Sequence, residues 1–157
     1  MSLVPEPVIL SQLGAADAEA FYRLYAHPAI NNGTAPFLPQ ETPLQFLQRI
    51  SGLCKVLYGI RPVSLPGELI GDCALHHWIP GAKSMEIGGS LLPEYRGRGI
   101  MPEVFRTLQT VARDVFRADT LIGRTSPDNR AAIRLVERLG YSKTGVEDGE
   151  LVLSLHL

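Results

Sequence analysis

Two arginines and two glycines alternate in Arg96-Gly97-Arg98-Gly99, and a carboxylate, Glu86, precedes them in the chain. Glycine at 97 and 99 lets the backbone turn tightly and lets a ligand come close to it. Before the turn, Met85 to Leu92 reads as a strand. After it, Ile100, Met101, Val104, Phe105, Leu108, Val111, Ala112 and Val115 recur at the spacing of one apolar helix face. A strand, a basic glycine turn and a helix start therefore follow one another. The helix start offers unpaired N–H groups and the positive end of a dipole. Together these make an anion site, most naturally for a phosphate or pyrophosphate. Two common phosphate motifs are excluded. Pro102 stands where a dinucleotide fingerprint needs its third glycine, and no Gly-Lys-Ser/Thr triplet occurs.

Other chemistries find less support. His76 and His77 are candidate bases, but neighbours on a strand are expected to point to opposite faces, so at most one faces a given pocket. The same alternation argues against a thiol–imidazole pair of Cys73 and His76. Asp72, His76 and His77 lack a zinc spacing, and no metal is expected. No Gly-x-Ser-x-Gly elbow is present. Cys54 and Cys73 lie in apolar stretches without metal or redox spacing and read as reduced core residues.

Three segments occur in order: Glu86-Ile87-Gly88, then Pro93-Glu94-Tyr95-Arg96-Gly97-Arg98-Gly99-Ile100-Met101, then Asn129-Arg130-Ala131-Ala132-Ile133-Arg134-Leu135-Val136-Glu137-Arg138-Leu139-Gly140-Tyr141. The set resembles the GNAT superfamily of acyl-CoA N-acyltransferases, most of all the branch with the RimJ/RimL-type ribosomal-protein N-acetyltransferases. Arg96, Gly99 and Met101 occupy the family's Gln/Arg-x-x-Gly-x-Gly/Ala positions, with Met101 departing from Gly/Ala.

The resemblance implies acetyl-CoA as co-substrate and direct acetyl transfer to a primary amine, on a protein N-terminus or a small molecule. Backbone N–H groups of Gly97, Arg98, Gly99, Ile100 and Met101 would hold the pyrophosphate, with charge from Arg96 and Arg98. Gly89-Ser90-Leu91 would pair with the pantetheine arm, and the Leu91 N–H would polarise the thioester carbonyl. Asn129 would contact the CoA arm, cap its helix, or do both. Glu86 would be the base that takes the amine proton, directly or through water. Where relatives carry a tyrosine or serine as general acid, Val136 and Ala132 stand instead, leaving Ser126, Tyr141 or water. The alternative implied activity is a non-catalytic CoA-binding or partner-binding module of the same fold. A third is a different acyl-CoA donor, since Met101 and Met85 could shape the acyl pocket. Dimers are common in the family, so a homodimer is among the implied partners.

The bulk properties agree with a soluble enzyme. At 157 residues the chain suits one domain, spanning 1–157, with a sizeable core. A net charge of −1 gives no electrostatic case for nucleic acid or an anionic membrane. No apolar run is long enough to span a bilayer and no secretory signal is evident, so a cytoplasmic location is expected. Arg130, Arg134 and Arg138 share a helix face with Glu137 among them, which reads as solvated.

The elements that must position these groups read as follows. Met1 to Pro7 is a loose end, and Val8-Ile9-Leu10 a strand. A helix runs from Asp17 to Ala26 and stops at His27-Pro28. Ala29 to Gln40 is a loop. Thr42, Pro43 and Gln45 cap a second helix with Phe46, Leu47, Ile50 and Leu53 on its buried side. Val56–Val63, Glu68–Trp78 and Met85–Leu92 form an antiparallel meander. A helix over about 100–116 leads to a parallel strand, Thr120–Arg124. A helix from Ser126-Pro127-Asp128 ends at Gly140. Tyr141–Val146 and Leu151–His156 form a hairpin across Glu147-Asp148-Gly149, an acidic turn that reads as a solvated tip or, by family analogy, as a border of the acceptor pocket. The expected class is α/β (α+β): a GNAT-type single domain with a central mixed, mostly antiparallel sheet flanked by helices. In that family the fourth and fifth strands splay apart around the pantetheine arm.

Overall fold

Short-range chemistry sets most of the element boundaries in the computed structural model, which describes residues 5–157. The strands are β1 (Val8–Gln12), β2 (Cys54–Pro62), β3 (Gly71–Ile79), β4 (Ser84–Leu91), β5 (Thr120–Thr125), β6 (Ser142–Glu147) and β7 (Glu150–His156). The helices are α1 (Ala18–Ala26), α2 (Pro28–Asn31), α3 (Pro43–Leu53), α4 (Ile100–Asp114) and α5 (Arg130–Arg138). Single 3-10 turns occupy Ala15–Asp17 and Pro93–Tyr95.

The strands form one seven-stranded sheet in the order β1-β2-β3-β4-β5-β7-β6. The pairings β1–β2, β5–β7 and β6–β7 are antiparallel, whereas β4 and β5 run parallel. The fold is thus the expected mixed, mostly antiparallel sheet flanked by helices. The parallel ladder joins Ser84–Glu86 to Thr120–Ile122 and ends there, although both strands continue.

Contacts divide the chain into two compact units: the residues up to Ala74 with Gly89–Ile100, and Leu75–Gly88 with Met101–Leu157. In the first, Leu13, Ala18, Phe21, Phe46, Leu47 and Leu57 form an apolar cluster. The Phe21 and Phe46 rings stack with centroids 5.4 Å apart, joining α1 to α3. Each such ring taken from water contributes about 2–3 kcal/mol. The α3 start is the expected capping box: Thr42 Oγ1 accepts from the Gln45 N–H at 3.1 Å, and Gln45 Oε1 accepts from the Thr42 N–H at 2.9 Å.

In the second unit, Val104, Phe105, Leu108 and Ala112 of α4 are buried. Val115 is 67% exposed, however, because α4 stops at Asp114. The terminal hairpin turns through Asp148 and Gly149, both at left-handed φ (50° and 79°), as a two-residue turn requires.

Three local expectations change. Leu53, expected on the buried side of α3, is exposed at its C-terminal end. The loop from Ala29 begins instead as the short helix α2, whose start is capped by His27 Nδ1 accepting from the Ala29 N–H at 3.1 Å. The N-terminal segment is not loose where it is described. The Glu6 N–H donates to the Arg98 carbonyl at 3.1 Å, and the Pro7 carbonyl accepts from the Val63 N–H at 3.1 Å. Residues 1–4 of the segment expected to be loose lie outside the described residues.

Candidate active site

The glycine turn belongs to the first unit. β4 ends at Leu91, the 3-10 turn follows, and Arg96 re-enters extended backbone at φ −73° and ψ 152°. Gly97 and Gly99 then take φ of 76° and 77°, a region costly for any residue with a Cβ. A Cβ on Gly97 would meet nothing within 4 Å, so the backbone at this position is open. α4 begins at Ile100, with Pro102 in its first turn contributing no N–H.

The two arginines are already engaged. Arg96 Nε donates to the Leu91 carbonyl at 3.0 Å and Nη2 to the Ala29 carbonyl at 3.2 Å, so its guanidinium braces the turn against the end of β4. Arg98 pairs with Glu6 at 3.0 Å and stacks over the Tyr95 ring at 4.9 Å. Pro5 lies over Gly99, 3.2 Å from where a Cβ would stand.

Ser90 and Leu91, at the end of β4, rest on a buried polar pair that the sequence reading passed over. Tyr25 Oη donates to Asp72 Oδ2 at 2.6 Å. Asp72 is 3% exposed, and burial pushes its carboxyl up to about 6, against the opposing hydrogen bonds of Tyr25 and Ser90. Its Oδ1 has no hydrogen bond of good geometry among the described residues. Burial, reinforced by the Asp72 charge, likewise pushes the Tyr25 phenol well above its ordinary range. Gly71, next to Asp72, lies so close to the Ser90 carbonyl that a Cβ could not be accommodated. The signal was one aspartate inside the apolar run Gly71-Asp72-Cys73-Ala74-Leu75.

The second unit carries Glu86. Its carboxylate is 15% exposed and is held by Arg124, whose Nε donates to Oε1 at 3.0 Å. Arg124 Nη1 also donates to Glu147 at 2.6 Å, tying the hairpin to the same group. Arg124 is a further residue that sequence reasoning missed. Its only signal was a lone guanidinium on the short strand Thr120–Thr125.

His76 and His77 correct an expectation. Their Nδ1 atoms are 2.5 Å apart, on one side of β3. His77 takes a left-handed φ of 51°, which breaks the alternation that would have separated the rings. His77 Nδ1 lies 3.7 Å from Glu86 Oε2. Burial lowers the His76 pKa, opposed by the nearby Glu86 and reinforced by His77.

Asn129 caps α5, its Oδ1 accepting from the Ala132 N–H at 3.2 Å, and is exposed. Val136 is buried apolar surface. Tyr141 is 3% exposed, its hydroxyl has no partner among the described residues, and burial pushes its pKa up. Ser126 Oγ accepts from the Asp128 N–H at 3.3 Å in an exposed turn. Arg130, Arg134 and Arg138 are exposed, as expected of a solvated face.

Residues 8–142 match the model of the acetyltransferase (GNAT) domain family. The chain belongs to the GNAT acetyltransferases. YoaA of Bacillus subtilis strain 168, named as an uncharacterized N-acetyltransferase, is 25% identical over 149 residues, covering 92% of this chain and 84% of that protein. The fold of this acetyltransferase also resembles that of Mycobacterium smegmatis RimJ in complex with CoA-disulfide (TM-score 0.75, 18% identity, 95% of this chain and 81% of that one). It resembles that of a Vibrio cholerae spermidine N-acetyltransferase SpeG variant as well (TM-score 0.77, 16% identity, 94% of each chain). The enzyme is accordingly an N-acetyltransferase. No described helix is long and apolar enough to cross a membrane.

Proposed function

We propose that this acetyltransferase moves an acetyl group from acetyl-CoA directly to a primary amine, with the whole chain acting as one catalytic domain. The observation that carries the reading is the pair of left-handed glycines, Gly97 and Gly99, opening α4. They expose consecutive backbone N–H groups at a helix N-terminus, which suits a pyrophosphate. The open space beside Gly97 fits such a group. Bound acetyl-CoA would supply an activated acyl carbon and a thiolate leaving group.

The chain's own residues then divide the work. Gly97, Arg98, Gly99, Ile100 and Met101 offer N–H donors to the phosphates. Arg96 holds the turn in shape through the Leu91 and Ala29 carbonyls rather than reaching for the phosphate itself. The Leu91 N–H, with Ser90 beside it, donates to the thioester carbonyl and steadies the negative charge that develops there. Asn129 combines its observed cap with a contact to the CoA arm. Glu86, oriented by Arg124, accepts the proton that an alkyl ammonium must lose before its nitrogen can attack. The C–N bond forms, the C–S bond breaks, and the sulfur leaves as thiolate. Its proton comes from water, Ser126 or Tyr141, since Ala132 and Val136 cannot supply one.

The acceptor is a cationic amine, on a peptide N-terminus or a small molecule such as a polyamine. Glu147 and Glu150 are exposed on the hairpin and favour positive charge, with Arg124 offsetting part of it. A cytoplasmic, soluble enzyme follows from the same reading.

The test is thiol release from acetyl-CoA across amines and N-terminal peptides, with CoA binding measured by calorimetry. Amine-dependent release is expected. Glu86→Gln should lower turnover roughly 10²- to 10⁴-fold while CoA affinity holds. Unchanged turnover would remove Glu86 from the mechanism. CoA binding without release for any amine would favour the non-catalytic module.

A further inference from the structure

Two imidazoles and a carboxylate converge in the second unit without being needed together for acetyl transfer. His76, His77 and Glu86 bring one ligand atom each to within 4.8 Å of one another. The closest pair, the two Nδ1 atoms, are 2.5 Å apart, and Oε2 of Glu86 is 3.7 Å from His77 Nδ1. The convergence depends on the left-handed φ of His77, a conformation unfavourable for any residue with a Cβ. Two ring nitrogens this close can share only one proton, so one lone pair always faces the other ring's edge.

We propose that His76, His77 and Glu86 form a binding site for a divalent transition-metal ion of the zinc type. Two imidazole nitrogens and one carboxylate oxygen are a donor set that zinc takes, leaving a fourth position open. Metal–ligand bonds of about 2.0–2.1 Å put ligands of a tetrahedral site roughly 3.4 Å apart. The observed separations, 2.5 Å to within 4.8 Å, bracket that value, so small side-chain rotations complete the site. Arg124 already fixes Oε1 at 3.0 Å, leaving Oε2 free to ligate, as outer partners of ligating carboxylates do. His77 is 68% exposed, which gives the ion a way in from solvent. The cluster also explains why spacing in sequence missed it: adjacent histidines become joint ligands only because the strand is bent at His77.

The functional consequence rests on the reading of Glu86 as the base. A metal ion held by Oε2 takes the lone pair that deprotonation needs, so the ion would inhibit transfer.

The experiment uses the full chain freed of metal by chelator and dialysis. Zinc chloride is titrated by calorimetry without CoA, and cobalt(II) is titrated in parallel for its visible absorption. One ion per chain is expected, with intense tetrahedral-type cobalt bands. His76→Gln and His77→Gln should each weaken zinc binding at least tenfold, while His156→Gln should not. Circular dichroism confirms that each variant is folded. Absent binding, or binding equal in all variants, would overturn the site. In the thiol-release assay, zinc should inhibit the parent enzyme and lose that effect when His76 and His77 are both replaced. Zinc held by these residues with undiminished turnover would uphold the site and overturn the base role of Glu86.

Discussion

Asp72 brings a carboxyl group into the core beneath the end of β4, with Tyr25 donating to it. Its pKa rises from 3.8 in an open chain to about 6 in the fold. Below the lower value the group is neutral in both states and costs nothing. Between the two, the unfolded chain ionises while the folded one keeps its proton, so this group's contribution to stability falls as pH rises. Above about 6 the full penalty persists, on the order of 3 kcal/mol. Asp72→Asn removes the ionisation and retains an oxygen to accept from Tyr25. Urea denaturation should therefore show the variant gaining about 2 kcal/mol on the parent between about pH 4.5 and pH 7.5. Parallel profiles would mean that the carboxyl is solvated. The sequence announced this residue only as an aspartate among apolar neighbours. That it lies under Ser90 was illegible, because Tyr25, Asp72 and Ser90 are distant in the chain and meet only through folding. Arg124 was hidden for the same reason. Gly97, Gly99, Glu86 and Asn129 stand as candidates from the sequence, since a family motif and a local spacing mark them.

At the scale of elements, the segments that were easiest to read are those whose cause is local. The Thr42–Gln45 box, Pro43 at the first helical position and Gly140 at φ 98° after α5 each follow from residues within one turn. β3 was misread in one respect because period-2 alternation presumes regular backbone, and His77 is not regular. The glycine turn makes the sharpest prediction here. Gly99 combines a φ of 77° with Pro5 packed against its α-carbon, so Gly99→Val both strains the backbone and pushes on Pro5. Calorimetry should show CoA binding lost while circular dichroism shows the fold kept. Retained affinity would detach the turn from the cofactor.

For the whole molecule, the sheet order shows a rule that the sequence held in plain view. The terminal hairpin was legible, but not which of its strands joins the sheet. β7 pairs with β5, and β6 takes the edge. β7 carries Val152 and Leu153 into the core, whereas every residue of β6 is exposed. A polar, lysine-bearing strand is suited to an edge, where it discourages pairing with other chains. The end of the ladder between β4 and β5 at Glu86 and Ile122 agrees with the expected divergence of those strands, a feature of the fold family that no periodicity encodes.

The ion pair between Glu6 and Arg98 gives the molecule a form of self-competition. The turn proposed to receive a pyrophosphate already has a carboxylate from its own chain on the Arg98 guanidinium. An anion arriving at the Arg98 guanidinium would exchange with Glu6 rather than meet a free cation. Added salt weakens the internal pair and the external attraction together, so CoA affinity should vary with ionic strength less steeply than an unoccupied arginine would dictate. Glu6→Gln should tighten CoA binding about two- to five-fold at low salt and steepen that dependence, as read by calorimetry at several salt concentrations. Equal slopes for parent and variant would show that the tether and the ligand never contend for the same charge.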